Sequence, residues 1–508
     1  MSPSPSPHAN AALIIVGHGS TLNPDSSAPT LEHAQRIRDM GLFAEVACCF
    51  WKEEPNMREV HELVQSPEVY IVPNFISEGY FCQEVLPREL GLNGPWTLRE
   101  GKRIAYCDPV GIHPSMTRLL LQRADEVAAG VPRDQISLVI VGHGTSLNEN
   151  STKAIKDQVR LIKEGGYGFA EVVDAYMEEP PLVNHWDELT RSPHVVVVPF
   201  FIADGLHSFQ DIPVLLGMNE EPGEALSQMQ VFRQNPIPLR GRQVYYSQAI
   251  GTEPLLAEVI LEQVKAFDER HSGQRPATVP ETCPAVGLEE TLRRWLAEGR
   301  RVIGQIGIEP SSQGGWLLHH VEDKACEAGM EFNQPREARE ISRWDDEGKF
   351  RPLKSAPNLR HGWQLHLRDA ADLLEALDIL HPAAVAMAAR HESGQLAPTP
   401  LRSLLGRQTG MYKFTNNISD EACNEVVART CASSKCLRRI VYPLSTELPL
   451  SGPASEKLGP TAGLLPTYPK AIPLLCMEAC SHILSATRLR AKKDFEARAA
   501  AAKTGAQE

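Results

Sequence analysis

The stretch Leu13–Asn23, LIIVGHGSTLN, recurs at Leu138–Asn148 as LVIVGHGTSLN, with eight of eleven positions identical. The same offset of 125 carries Glu53-Glu54-Pro55 onto Glu178-Glu179-Pro180. An offset of 126 carries SPEVYIVPNFISEG, 66–79, onto SPHVVVVPFFIADG, 192–205. Three matching blocks in one order mean an internal duplication. The period is too long for a solenoid repeat, and each copy has the size of a small domain.

Each copy opens on a short, fully apolar run ending at glycine, which suits a strand buried on both faces of a parallel sheet. In the first copy a helical pattern follows, with Leu31, Ala34, Ile37 and Met40 at helical spacing and Gly41 as its stop. Residues 43–50 read as a second strand, 56–64 as a helix and 69–72 as a third strand; the second copy repeats the order. Alternating strands and helices predict two α/β lobes with parallel sheets. Ligands of such sheets bind beyond the carboxyl ends of the strands. His18 and His143 stand there, flanked by glycines.

The rest of the chain divides by composition. Residues 1–10 form a Pro/Ser-rich, uncharged lead, expected to be disordered and unlike a signal peptide. The lobes span 11–132 and 133–270, and a polar, proline-containing linker covers 271–284. Residues 285–394 read as an α+β domain, with helices at 288–298, 370–380 and 382–390 and strands at 301–308 and 315–321. Residues 395–489 hold a cysteine-rich domain, and 490–508 a helical or disordered tail. The formal net charge is −13 with no Lys/Arg-rich stripe, which argues against a nucleic-acid partner. No apolar run approaches the roughly 20 residues of a membrane span. A cytoplasmic protein is the expectation.

In the second copy three polar groups follow three strands: His143, Glu178 and His207. Two imidazoles and a carboxylate suit Co²⁺, Fe²⁺, Ni²⁺ or Zn²⁺ and leave coordination positions open. The first copy offers His18 and Glu53, but Phe81 stands near the place of the second histidine. A single strand-end histidine is ordinarily structural; three groups in register on a duplicated scaffold favour a metal site. Glu54 and Glu179 fit a solvated surface equally well.

GHGS at 17–20, GHGT at 142–145, the AYMEEP block and ADGLHSFQDIP together resemble the CbiX/SirB family of sirohydrochlorin chelatases, over residues of about 10–265. The resemblance implies two flavodoxin-like lobes facing a cleft. It implies a lyase that inserts Co²⁺ or Fe²⁺ into sirohydrochlorin, toward cobalamin or siroheme. Carried over by motif, the catalytic residues are His143, His207, Glu178 and His18. The metal-handling residues are His143, Glu178, His207, His18 and Glu53. The chemistry is coherent on its own terms, because a neutral imidazole can both ligate a dication and accept a pyrrole proton.

Five of eleven cysteines crowd the C-terminal part: Cys423, Cys431, Cys436, Cys476 and Cys480. An odd total in a large chain argues against a disulfide framework. Cys431-x4-Cys436 and Cys476-x3-Cys480 supply four thiolates, enough for an iron–sulfur cluster or a structural zinc. The loose spacings favour iron–sulfur, [4Fe–4S] ahead of [2Fe–2S], with Cys423 as the spare. This segment resembles the iron–sulfur domain of DR2241-type chelatase fusions, and 285–394 resembles its companion domain. Two further readings stand beside the chelatase: a metal or tetrapyrrole carrier without turnover, and a redox protein whose cluster reacts.

Overall fold

The computed structural model describes residues 6–144, 150–218, 232, 235–277, 287–312, 314–323, 329–352, 359–408, 410–433, 436–452 and 470–504. The chain divides into two compact units, Met1–Val60 with Val64–Cys283, and His61–Leu63 with Pro284–Glu508.

The first unit holds both copies. Strands β1 (Ala11–Gly17), β2 (Glu45–Phe50), β3 (Glu68–Pro73), β4 (Trp96–Arg99) and β5 (Lys102–Tyr106) form a sheet of order β2-β1-β3-β5-β4. Strands β6 (Ile136–Gly142), β7 (Glu171–Tyr176), β8 (His194–Pro199), β9 (Ile237–Leu239) and β10 (Arg242–Tyr246) repeat that order. Every residue of β1 and β6 is buried, as the apolar runs demand. The expectation of wholly parallel sheets is corrected at one edge of each, where β4 and β9 run antiparallel to β5 and β10. A short hairpin suffices there, so no crossover helix is needed.

Two helices are exchanged between the copies. Met116–Val127, which follows β5, packs on β8 and on the helix Asn150–Glu164 of the second copy. There Thr117 Oγ1 donates to Gln158 Oε1 at 2.6 Å, fully buried. Leu256–His271, which follows β10, packs on β3 and on the helix Ala28–Met40 of the first copy. Its Gln263 donates to the Pro109 carbonyl at 2.7 Å, and Tyr70 donates to its Asp268 at 2.8 Å. One apolar core therefore runs through both copies.

Part of the expected disordered lead is ordered: His8 stacks on Phe43 at 5.2 Å and meets Tyr70 edge-on at 5.0 Å. Residues 1–5 lie outside the described residues, as does the 278–284 part of the expected linker.

The second unit begins with the helix Leu288–Ala297 and a sheet of order β11-β12-β13-β15-β14. Its strands are β11 (Val302–Ile303), β12 (Ile306–Pro310), β13 (Trp316–His320), β14 (Met330–Phe332) and β15 (Trp363–Leu367). The single strand expected at 301–308 is a hairpin that turns at Gly304, whose φ of 57° no larger residue adopts readily. Helices Ala370–Leu380 and Ala384–Glu392 close the core of this domain. The last domain packs helices Leu401–Gly406, Asp420–Ser433 and Ser481–Thr504 around a two-stranded sheet, β16 (Arg439–Ile440) and β17 (Leu475–Cys476). The tail is helical as far as Thr504. Among the described residues no helix is long and apolar enough to cross a membrane.

Candidate metal centre

His143 follows β6, and its carbonyl accepts the Met177 and Glu178 N–H groups, each at 3.1 Å. Those bonds tie the loop after β6 to the loop after β7. Gly144, at φ 72°, lies over Glu179, whose Cγ would stand 2.8 Å from any added Cβ. Gly144 is thus required by the loop itself.

His143 Nδ1 lies 2.9 Å from the Gly144 carbonyl oxygen. An oxygen there accepts a proton, so Nδ1 carries the hydrogen and Nε2 keeps the lone pair. That Nε2 is 3.6 Å from Glu178 Oε1. His207 opens the π-turn His207–Asp211, and its Nδ1 donates to Asp211 Oδ2 at 2.6 Å. Its Nε2 is therefore also the lone-pair nitrogen. The two imidazole rings meet edge to face with centroids 5.1 Å apart. Both histidines and Glu178 are about half exposed on the same rim. Two oriented imidazoles beside a carboxylate, each with its far nitrogen held by an oxygen, form the usual protein half of a transition-metal site. Asp211 had no place in the sequence reading; its signal is the i,i+4 spacing to His207 within HSFQD.

The first copy repeats the scaffold and keeps one of its two imidazoles, with other side chains at the remaining positions. His18 Nδ1 lies 2.8 Å from the Gly19 carbonyl oxygen, as His143 does from Gly144. The strand registers nevertheless correct the expected alignment. Phe50 pairs with Gly17 as Tyr176 pairs with Gly142. Phe50 N donates to Pro55 O as Tyr176 N does to Pro181 O. Lys52 N donates to His18 O as Glu178 N does to His143 O. The offset is already 126 here, so Lys52, not Glu53, is the counterpart of Glu178. Glu53, expected as a metal carboxylate, is the counterpart of Glu179. It is 3% exposed and accepts the Ser20 N–H and the Ser27 hydroxyl at 2.7 Å each. Withdrawing it would strand the buried Ser27 hydroxyl, at about 1–3 kcal/mol, and free the part-buried Ser20 N–H. In this structure it braces the GHGS loop, with both carboxylate oxygens engaged by Ser20 and Ser27.

Phe81 takes the position of His207 and completes an aromatic cluster with His18 at 5.5 Å, Trp51 at 5.6 Å and Phe75 at 5.3 Å. Burial lowers the His18 pKa, and the neighbouring Lys52 cation adds to this. The first rim thus offers one neutral imidazole, one ammonium and aromatic faces.

In the C-terminal domain Cys431, Cys436, Cys476 and Cys480 are half-buried, while Cys423 is fully buried. Cys431 lies in the last turn of the helix Asp420–Ser433, Cys476 lies on β17 opposite Ile440, and Cys480 immediately precedes the last helix. Tyr442 is buried among Cys476, Cys431 and Cys480, and burial with these thiols pushes its pKa well up. The Arg438 N–H donates to Cys436 Sγ at 3.4 Å, a bond that favours a thiolate. Four part-exposed sulfurs, one on a helix, one on β17 and two beside them in the chain, one holding a backbone donor, fit the donor set of a [4Fe–4S] cluster. Burial drives the Cys423 thiol up to about 11, as suits a core residue.

Comparison with known proteins agrees with this layout. The CbiX family model matches residues 12–127 and 137–267, one match per copy. A probable sirohydrochlorin cobaltochelatase of Halobacterium salinarum is 43% identical over 270 residues, covering 50% of this chain and 90% of the relative. The chain belongs to the CbiX family. The DR2241 stabilising domain matches 288–392 and the 4Fe-4S iron-sulfur cluster binding domain 393–489. A sirohydrochlorin cobaltochelatase of Methanopyrus kandleri is 27% identical over 139 residues, 26% of this CbiX chain and 95% of its own length. The crystal structure of DR2241 from Deinococcus radiodurans superposes with a TM-score of 0.72 at 26% identity, covering 95% of this chain and 99% of that one. It is described as a multi-domain protein with structural similarity to chelatases and two additional novel domains.

Proposed function

We propose that this CbiX-family chain is a sirohydrochlorin chelatase, a lyase that inserts Co²⁺ or alternatively Fe²⁺ from its second lobe. The observation that carries the reading is the pair of oriented imidazoles, His143 and His207, beside Glu178. The 43%-identical relative, a probable sirohydrochlorin cobaltochelatase, supports it.

Insertion replaces two pyrrole protons by one dication, so the site must hold a metal and remove two protons. The Nε2 lone pairs of His143 and His207 suit both tasks in turn: each ligates the incoming ion, then accepts a proton once the ion has passed to the macrocycle. Glu178 offsets the charge of the ion and offers a further base. Asp211 fixes the His207 ring. Lys52 in the first lobe repels a dication, by about 1 kcal/mol per unit charge at 4 Å in water and about 4 kcal/mol near a protein surface. It attracts the peripheral carboxylates of the tetrapyrrole instead, and the Trp51, Phe75 and Phe81 rings offer faces for stacking. Within this reading the first lobe binds substrate and the second delivers metal. The four cysteines Cys431, Cys436, Cys476 and Cys480 would hold a [4Fe–4S] cluster, which supplies one-electron chemistry when bound. A cytoplasmic location belongs to the reading, since thiolate ligands persist in a reducing compartment.

The test is anaerobic insertion of Co²⁺ into sirohydrochlorin, followed by the absorbance change. His143→Ala and His207→Ala should each lower turnover about 10²-fold or more, and His18→Ala should mainly raise KM for the tetrapyrrole. Abolition by His18→Ala with near-normal turnover in His143→Ala would assign the chemistry to the first lobe.

A further inference from the structure

We propose that His320, Asp323 and His361 form a second site for a divalent transition-metal ion, of the Zn²⁺ or Co²⁺ class, outside the duplicated lobes. One ligand atom from each of the three lies within 4.8 Å of the other two. His320 is the last residue of β13, Asp323 lies in the turn after it, and His361 stands two residues before β15. β13 and β15 are hydrogen-bonded neighbours, so the ligands come from adjoining strand ends held by the sheet.

The arrangement has the marks of a built site. The imidazoles of His320 and His361 lie with centroids 3.9 Å apart at 50°. The two rings are in direct contact, which brings both imidazoles to the same side of the Asp323 carboxylate. Asp323 points one oxygen at each neighbour: Oδ1 lies 2.6 Å from His361 Nδ1, and Oδ2 accepts the Gly362 N–H at 2.7 Å. His320 Nδ1 is 4.0 Å from the same Oδ1. Bonds of about 2.0–2.2 Å to nitrogen and oxygen place tetrahedral ligands roughly 3.3 Å apart. One separation must open and the other close by less than about 1 Å, within reach of small side-chain rotations.

Outer contacts are also present. His320 is fully buried, and the Gln305 amide nitrogen donates to its Nε2 at 2.9 Å. A metal on Nδ1 would put the proton on Nε2, so the Gln305 carboxamide would turn its oxygen there and give up the 3.2 Å bond it accepts from the Leu359 N–H. The Glu322 N–H approaches Nδ1 only weakly, at 3.3 Å. The His361 N–H donates to Asp346 at 2.6 Å, which anchors its backbone. His361 is 44% exposed, so an ion here would have an entry path and an open fourth position for water. Two imidazoles and one carboxylate select a borderline transition ion over Mg²⁺ or Ca²⁺.

The test measures Zn²⁺ binding by equilibrium dialysis on anaerobically purified, cluster-loaded full-length protein. A His143→Ala, His207→Ala background removes the lobe site from the count. One equivalent of Zn²⁺ should remain, with a dissociation constant in the micromolar range or below. His361→Ala should weaken that constant about 10²-fold or more, and Gln305→Ala about 10-fold, as loss of an outer partner does. Mg²⁺ should not compete. In the otherwise natural chain, His361→Ala should leave cobalt insertion unchanged, which separates this site from the chelatase reading. No zinc bound in the double-variant background, or binding indifferent to His361→Ala, would make the trio a hydrogen-bonded turn and overturn the proposal. Circular dichroism of His361→Ala should match the parent; its exposure makes the substitution mild.

Discussion

Asp211 offers the sharpest test of how the second lobe works. Its Oδ2 receives the His207 Nδ1 proton at 2.6 Å, and both side chains are about 45% exposed. A charged hydrogen bond is worth about 1.5–3 kcal/mol when shielded. Half exposure screens it, leaving about 1–1.5 kcal/mol, or roughly tenfold in kcat/KM. That agrees with the 10–100-fold scale for losing the partner of a metal-binding histidine. Asp211→Ala should therefore lower kcat/KM for cobalt insertion about tenfold. Asp211→Asn keeps an acceptor without the charge and should lose only a few-fold. The decisive measurement is the double-mutant cycle with His207→Ala. Asp211 acts only through the imidazole, so Asp211→Ala should cost no more than about 0.3–0.5 kcal/mol once the imidazole is gone. If it still cost tenfold in the His207→Ala protein, Asp211 would be acting on metal or substrate directly, and the orienting role would be wrong.

Three further outcomes can be measured. Lys52→Glu with Phe81→His rebuilds the ligand set of the second lobe on the first, and should add one equivalent of bound Co²⁺ by calorimetry; unchanged stoichiometry would contradict the register that pairs Lys52 with Glu178. Anaerobically purified protein should contain iron and acid-labile sulfide, lost on replacing Cys431, Cys436, Cys476 or Cys480 by Ser but kept in Cys423→Ser; zinc without sulfide would refute the cluster. His33 is buried, its Nε2 donating to the Gly251 carbonyl at 2.8 Å while its buried Nδ1 has no hydrogen-bond partner, and its pKa falls from 6.5 to about 4, chiefly through burial. Below pH 6.5 the unfolded chain takes up a proton that the folded one refuses, so stability drops by about 1.4 kcal/mol per pH unit, roughly 2 kcal/mol by pH 5. Urea midpoints should fall less steeply from pH 7 to pH 5 in His33→Gln; equal slopes would refute the assignment.

The strands that carry the sites were legible because β1 and β6 are unbroken apolar runs closed by glycine. The edge strands β4 and β9 were not, being only four and three residues long, with their partners supplied by a turn. His143, Glu178 and His207, the residues proposed to handle the metal, each follow their own strand, which is how the sequence brings them together. Glu53 was misplaced for an instructive reason. The letters EEP recur at an offset of 125, yet backbone pairing has already slipped to 126 by Phe50, so identical residues fill inequivalent positions. Only hydrogen bonds reveal that Lys52 stands at the position of Glu178. The His320–Asp323–His361 trio was invisible for another cause: its two histidines are 41 residues apart at the ends of neighbouring strands, with β14 between them in the chain, and neither sits in a recurring motif.

The exchanged helices bear on how such a chain could arise. Each copy surrenders its final helix to the other, so a solitary copy would expose the apolar seat that the helix Met116–Val127 or Leu256–His271 fills. A half-length ancestor with this topology would have been obliged to pair with itself, trading helices between two identical partners. Joining two genes end to end turns that partnership into one chain and frees the halves to specialise. The first half could then lose a histidine and gain a lysine without becoming dispensable, because the second half still rests on its helix.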